Sequence, residues 1–272
     1  MNETKTGKPV FRLYKNSMEV LDKREILAHY SWKYDGDWSK IAEALRTHEK
    51  VKRRRDCGSY ITIYDDAYPK NLRALRYPPW VLFYRGRLDL LKQSGFTVVG
   101  SRKLTAYGEW ATERCAELLS AQHVLISGLA KGADGIVHRT AIAMRGTTVG
   151  VIGCGLNVRY PRENEYLYRM MESEQLILSE YPDTTGVKKH HFPWRNRILA
   201  ALGDGVIVTQ AALKSGTMGT VSQALELGKE VWCVPYPYNE EGGRGCNLLI
   251  SQGANILYDE GILEDLRPLR PI

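Results

Sequence analysis

Apolar and polar positions change their period partway along the chain. Residues 17 to 32 and 38 to 50 carry apolar side chains at helical spacing: Met18, Leu21, Ile26, Leu27 and Tyr30, then Trp38, Ile41, Ala42 and Leu45. Between them Tyr34-Asp-Gly-Asp37 reads as a turn, with Asp37 placed to cap the second helix. Beyond Cys57 short apolar runs take over. Tyr60 to Tyr64 and Pro78 to Gly86 read as strands that extend one edge of the larger downstream unit. From Phe96 onward strands alternate with helices. The strands are Phe96 to Val99, Val124 to Ser127, Thr148 to Ile152, Leu176 to Ser179, Gly205 to Thr209 and Glu230 to Val234. The helices span 107 to 120, 134 to 144, 163 to 173, 195 to 202 and 217 to 227. Short apolar strands alternating with helices predict a parallel sheet covered on both faces, the doubly wound α/β class, in which ligands gather at the C-terminal strand ends. The expected organisation is a small helical domain over 1 to 56 and an α/β domain over 57 to 272.

Composition narrows the class. A chain of 272 residues, 43% hydrophobic, is long enough for one full core plus a small module. No apolar run approaches a membrane span and the N-terminus has no apolar signal core, so a cytoplasmic protein is expected. The five cysteines, Cys57, Cys115, Cys154, Cys233 and Cys246, are widely spread without a CxxC, which encodes neither a disulfide framework nor a zinc site. No metal or cofactor is expected.

The net charge of +7 is uneven: residues 1 to 56 hold 14 Lys/Arg against 9 Asp/Glu, and the larger part is nearly neutral. Anion binding there must come from local clusters. Two windows, 184 to 203 and 206 to 225, contain no Asp or Glu. The first holds Lys188, Lys189, Arg195 and Arg197, with His190 and His191 alongside and the aromatics Phe192 and Trp194 among them. Cations for phosphates and a π face for stacking are what a nucleotide strand needs, although a solvated basic loop leading into a helix would have the same composition. The basic run Lys50 to Arg55 is open to the same two readings, phosphate contact or solvated linker.

The strand ends carry Gly100-Ser-Arg-Lys103, Gly128-Leu-Ala-Lys131 through Gly135, Gly153-Cys-Gly through Pro161, and Lys214-Ser-Gly-Thr-Met-Gly219. Such loops let backbone N–H groups approach a phosphate, and four on one rim make an extended anion surface. Familiar nucleotide signatures fail: GxGxxG breaks at Val158, and no GxxxxGK[ST] follows a strand. Asp134 and His138 stand four apart, which fits either acid/base chemistry or a helix cap with a bonded histidine. The sequence offers sites for holding an anion and little for transforming one, so no enzyme is expected.

These residues resemble the DprA (Smf) family of DNA-processing proteins of bacterial natural transformation. The matching runs are Val99-Gly-Ser-Arg102, Ser127-Gly-Leu-Ala-Lys-Gly-Ala-Asp134, Gly153-Cys-Gly-Leu156 with Tyr160-Pro161, Leu178-Ser-Glu180, Phe192-Pro-Trp-Arg-Asn-Arg197, Lys214-Ser-Gly-Thr217, and Gly245-Cys-Asn-Leu-Leu-Ile250 with Gly253-Ala254. The resemblance implies an extended Rossmann-like domain with a mostly parallel sheet, preceded by a small all-helical, sterile-alpha-motif-like domain. It implies binding of single-stranded DNA, sharing of that strand with single-strand-binding protein, and loading of a RecA-type recombinase during recombination. Arg102, Arg162 and Lys189 are the implied DNA cations, and Phe192 is implied to stack on a base. A homodimer is implied through Cys246 to Leu257, including Asn247, Ile250 and Ile256, where recombinase contacts also fall. Two departures stand out: Ala133 replaces the usual Ile, and Val234-Pro-Tyr236 the usual VPG.

The expected cradle combines Arg102, Lys189 and Arg162 with backbone N–H groups of Gly100, Ser101, Ser215, Gly216 and Thr217, flanked by Lys131 and Lys214. Arg195 and Asn196 either bond to base edges or fix the loop, and Trp194 is expected to pack. The rival is a nucleotide phosphoribohydrolase. Its PGGxGTxxE motif has a local counterpart in Gly216 to Gln223, but Gln223 stands where the carboxylate belongs.

Overall fold

The computed structural model describes residues 22–51 and 58–266. Asp22 caps α1 (Lys23–Lys33), its carboxylate accepting from Arg24 N, and Asp37 caps α2 (Trp38–Arg46) by accepting from Lys40 N at 3.0 Å. The expected first residues of the first helix, and nearly all of the Lys50 to Arg55 run with the boundary at Cys57, lie outside the described residues. Leu27, Tyr30, Ile41 and Ala44 are buried together with Val81 and Phe83 of β2 (Val81–Gly86) and Leu167, Tyr168 and Met171 of α5 (Glu165–Glu174). The helical pair therefore packs onto the sheet through a shared apolar cluster. Leu82, between Val81 and Phe83, joins the main core instead, as strand alternation requires.

Among the described residues the sheet has nine strands. β1 (Tyr60–Thr62) and β2 form an antiparallel edge, followed by β3 (Gly95–Gly100), β4 (Val124–Ser127), β5 (Thr148–Ile152), β6 (Leu176–Ser179), β7 (Val206–Gln210), β8 (Val231–Cys233) and β9 (Asn255–Ile256). Their spatial order is β1-β2-β6-β5-β4-β3-β7-β8-β9, parallel from β6 to β9. Every residue of β4, β5, β6 and β7 is buried, which explains their unbroken apolar runs: helices cover both faces. α3 (Ala106–Ser120) packs on α4 (Ala133–Ala143), and α6 (His191–Leu202) packs on α7 (Gly216–Glu226). The connections through α3 and α4 run toward the β6 side of the sheet and those through α6 and α7 toward the β9 side, so the right-handed rule for parallel crossovers assigns the two pairs to opposite faces. α8 (Arg244–Ser251) and α9 (Gly261–Asp265) follow among the described residues. The fold is thus the mostly parallel, doubly wound α/β sheet with N-terminal helices that the patterning predicts.

The order reverses between β3 and β7. There the chain leaves β3 toward β4 on one side and later returns to β7 on the other, which opens a crevice at their C-terminal ends. A register shift at Val99/Gly100 loosens the ladder at that point.

One boundary differs in a way that matters. α6 begins at His191, not at 195, so Phe192, Pro193 and Trp194 lie in its first turn. Proline is acceptable there because the first N–H groups of a helix have no intrahelical partner to lose.

Candidate nucleic-acid interface

Three loops meet at the C-terminal edge of the sheet. Arg102, exposed after β3, holds its guanidinium 5.3 Å from the centroid of the half-buried Phe192 ring, and Tyr160 tilts against the same ring at 5.6 Å. Tyr160 precedes Pro161 through a cis peptide bond and is itself 41% exposed. The result is a cation with two aromatic faces, open to solvent and contributed by three separate strand ends. In the sequence Tyr160 stands out only as part of a turn; the signal that could have found it is a second aromatic close to a cation, Arg162.

The neighbouring loops are tied to one another. Thr217 Oγ1 donates to Gly100 O at 3.0 Å, Ala133 N donates to Ser101 O at 3.1 Å, and Asn164 Nδ2 donates to Ala130 O at 2.8 Å. Asn196 Nδ2 donates to Gly216 O at 3.2 Å, joining α6 to the start of α7. The Ser101 hydroxyl is occupied by its own turn, donating to Lys103 O and accepting from Lys103 N. The Ser215 hydroxyl oxygen is buried without a partner at the first turn of α7.

The cations divide sharply. Arg195 is buried: its Nη1 donates to Gly128 O at 2.8 Å and to Val151 O, beside the buried Asp134. Burial pushes the Arg195 pKa down and the Asp134 carboxyl up, while the attraction between the two opposes both changes. Its guanidinium bonds to the strand-end carbonyls of Gly128 and Val151 beneath the rim. Arg197 is buried too, its Nη2 2.6 Å from Glu180 Oε1, with Nε donating to Tyr77 O and its guanidinium over the Trp194 ring. Trp194 packs, as expected.

Lys131 stands 2.5 Å from Glu163 Oε2, so its charge is offset by a neighbouring carboxylate. Lys188 is likewise paired, with Asp35. Arg162, Lys189 and Lys214 are exposed with no side-chain partner among the described residues, and Arg102 has only its aromatic contact. The open positive charge at the rim therefore comes from Arg102, Lys103, Arg162, Lys189 and Lys214.

No acid/base pair forms at Asp134 and His138. His138 Nδ1 lies 2.7 Å from Thr148 Oγ1, not on Asp134, and burial pulls its pKa down to about 3, which keeps it neutral. Asp134 accepts from Ala130 N at 3.3 Å inside the first turn of α4. Gln223 lies on α7 and donates to Glu226. Among the described residues no group of His, Cys, Asp or Glu is arranged to hold a metal ion, and no helix is long and apolar enough to cross a membrane.

At the far edge of the sheet Ile256 is 39% exposed on β9, whereas Ile250 is half-buried against the core. Asn247 is engaged within its own chain: it accepts from Tyr236 N at 3.0 Å and donates to Tyr236 O at 2.9 Å, fixing the turn in which Tyr236 replaces a glycine. Leu248 and Tyr258, 38% and 75% exposed, extend this surface.

A family model described as DNA recombination-mediator protein A matches residues 59–267. The DNA processing protein DprA of Streptococcus pneumoniae (strain ATCC BAA-255 / R6) is 41% identical over 196 residues, 72% of this chain and 70% of that protein. Its Bacillus subtilis (strain 168) counterpart is 42% identical over 209 residues, 76% of this chain and 70% of that protein. The X-ray structure of the Streptococcus pneumoniae protein superposes with a TM-score of 0.75 at 35% identity, covering 84% of this chain and 82% of that one. The solved structure of Helicobacter pylori DNA processing protein A, described for its unique single-stranded DNA binding mode, gives a TM-score of 0.69 at 31% identity, covering 76% of this chain and 95% of that one.

Proposed function

The chain belongs to the DNA recombination-mediator protein A family, and from that premise we propose that it binds single-stranded DNA in transformation at the rim between β3 and β7. The observation that carries this reading is the cluster of Arg102, Phe192 and Tyr160, a solvent-facing cation beside two aromatic rings at the C-terminal edge of the sheet. An aromatic face under a cation suits a splayed base with its phosphate alongside, and duplex DNA presents no free base face. Arg102, Arg162 and Lys189 take phosphates, Lys214 extends the path, and the backbone N–H groups of Gly100, Ser101 and Ser215 to Thr217 complete the cradle. The Helicobacter pylori relative, described as a single-strand binder, supports the same ligand class.

Beyond binding, the proposed role extends to sharing the strand with single-strand-binding protein and helping to load a RecA-type recombinase, with the chain acting as a homodimer through the β9 edge. In this proposal the small domain assigned to 1–56 meets the α/β domain assigned to 57–272 through α1 and α2. No reaction is assigned: the position of a hydrolase carboxylate is held by Gln223.

Replacing Lys189 by Glu tests the site. Oligonucleotide titrations are expected to show weaker binding of all sequences alike, since a phosphate contact carries no sequence information. Unchanged affinity would remove Lys189 from the path, and release of free base from a nucleoside monophosphate would favour the hydrolase instead.

A further inference from the structure

The turn between α1 and α2 lies against the segment that leads into α6. Asp35 and Gly36 both have positive φ, 54° and 73°, and this tight reversal brings Gly36 onto Tyr181. A Cβ on Gly36 would stand 2.8 Å from Tyr181 Cδ1 and 3.0 Å from Glu180 O. The same reversal turns the Asp35 carboxylate outward. Its Oδ2 accepts from Lys188 Nζ at 2.5 Å and its Oδ1 accepts from the Thr185 hydroxyl. Partial burial works to raise the carboxyl pKa, yet these hydrogen bonds and the lysine charge outweigh it, leaving Asp35 below the usual range and ionised.

The contacts continue into the site. Tyr181 stacks face to face on His191, the first residue of α6, with centroids 3.8 Å apart and planes at 10°. His191 Nδ1 lies 3.1 Å from Gly153 O, and Phe192 follows directly. One turn further along α6, Trp38 of α2 meets Tyr77 edge-on at 5.1 Å, and Tyr77 packs on Trp194 at 5.6 Å. The helical pair thus grips the segment from 181 to 194 at two places.

We propose that Asp35 is a positioning residue for single-stranded DNA: it withholds Lys188 from the strand and fixes the 182–190 segment so that Lys189 takes the phosphate beside Phe192 and Arg102. This rests on the single-strand reading above. Adjacent lysines on a mobile segment would be equivalent to a polyanion, and the Asp35 contact breaks that equivalence. It also assigns the helical module a part in binding that no contact of its own with DNA requires.

The test uses the full chain as wild type, Asp35→Asn, Lys188→Ala, their double variant and Lys189→Ala. Amide hydrogen exchange over 182–190, measured without DNA, is expected to be several-fold faster in Asp35→Asn and in Lys188→Ala, which open the same contact from opposite sides. Oligothymidylate affinity should fall about three-fold in each single variant, and the double should be no weaker than either, as for partners in one contact. Lys188→Ala should keep the wild-type salt slope, whereas Lys189→Ala should flatten it by about 0.7. Unchanged exchange in Asp35→Asn, additive losses, or a flattened slope in Lys188→Ala would overturn the positioning role while leaving strand binding intact. A wild-type protein that binds no oligothymidylate would overturn the single-strand reading itself, whatever the exchange data show.

Discussion

Phe192 is half-buried, with the Arg102 guanidinium over its ring and Tyr160 tilted against it. Phe192→Ala is expected to cost about 1–3 kcal/mol of strand affinity while leaving the salt slope unchanged, because no charge is removed; fluorescence titration at several salt concentrations reads both. His138 predicts a pH effect on stability. Its pKa is depressed to about 3 in the fold, against an ordinary value of 6.5. A depressed pKa means that its contribution is present above the unfolded value and is lost as pH falls from 6.5 toward 3. Between pH 7 and pH 5 this amounts to about 2 kcal/mol. Urea unfolding at the two pH values should show a smaller loss in His138→Asn than in the wild type, and equal losses would contradict the assignment. Single residues were unevenly legible in the sequence. The stacking role proposed for Phe192 rests on the family motif, and nothing in the acid-free window separates Lys189 from Arg195 and Arg197. Burial makes that division, through carbonyls of Gly128 and Val151 and through Glu180, residues distant in sequence.

Among the elements, α4, α6 and the loop after β4 are locked together beneath the rim by Arg195, Asp134 and Gly128. A Cβ on Gly128 would lie 2.5 Å from both Arg195 Nη1 and Asp134 Oδ2. Gly128→Ala is therefore expected to destabilise the fold by about 1–3 kcal/mol through overpacking, seen as a lower denaturation midpoint; a midpoint equal to wild type would mean that the guanidinium can shift freely. Strands were the most legible elements, because burial on both faces leaves an unbroken apolar signature. The start of α6 was not, since Pro193 punctuates the chain as a helix breaker while the structure uses it in the first turn, where that objection lapses. β9, two residues long, has no periodicity to detect. The docking of the α1–α2 turn on the segment before α6 was also invisible, because it depends on the contact of Asp35 with Thr185 and Lys188.

For the whole molecule, the reversal of strand order between β3 and β7 is what turns four scattered loops into one surface. The alternation of strands and helices predicts a doubly wound sheet with ligands at its C-terminal edge, but the spatial order, and hence which loops adjoin, depends on long-range pairing that local pattern does not encode. The exposed β9 edge carries the assembly prediction: Ile256→Asp is expected to yield monomers in sedimentation and to weaken binding of long strands more than short ones, through lost avidity. Sedimentation as a dimer would place the interface elsewhere. A single-strand site at the rim requires phosphate contacts at Arg102, Arg162 and Lys189 together. Its most direct test is the affinity of the purified protein for single- and double-stranded oligonucleotides of one sequence across a salt series. Preference for the single strand, with a log–log slope of about −2, is the predicted result; a flat salt response, or tighter binding of the duplex, would contradict it.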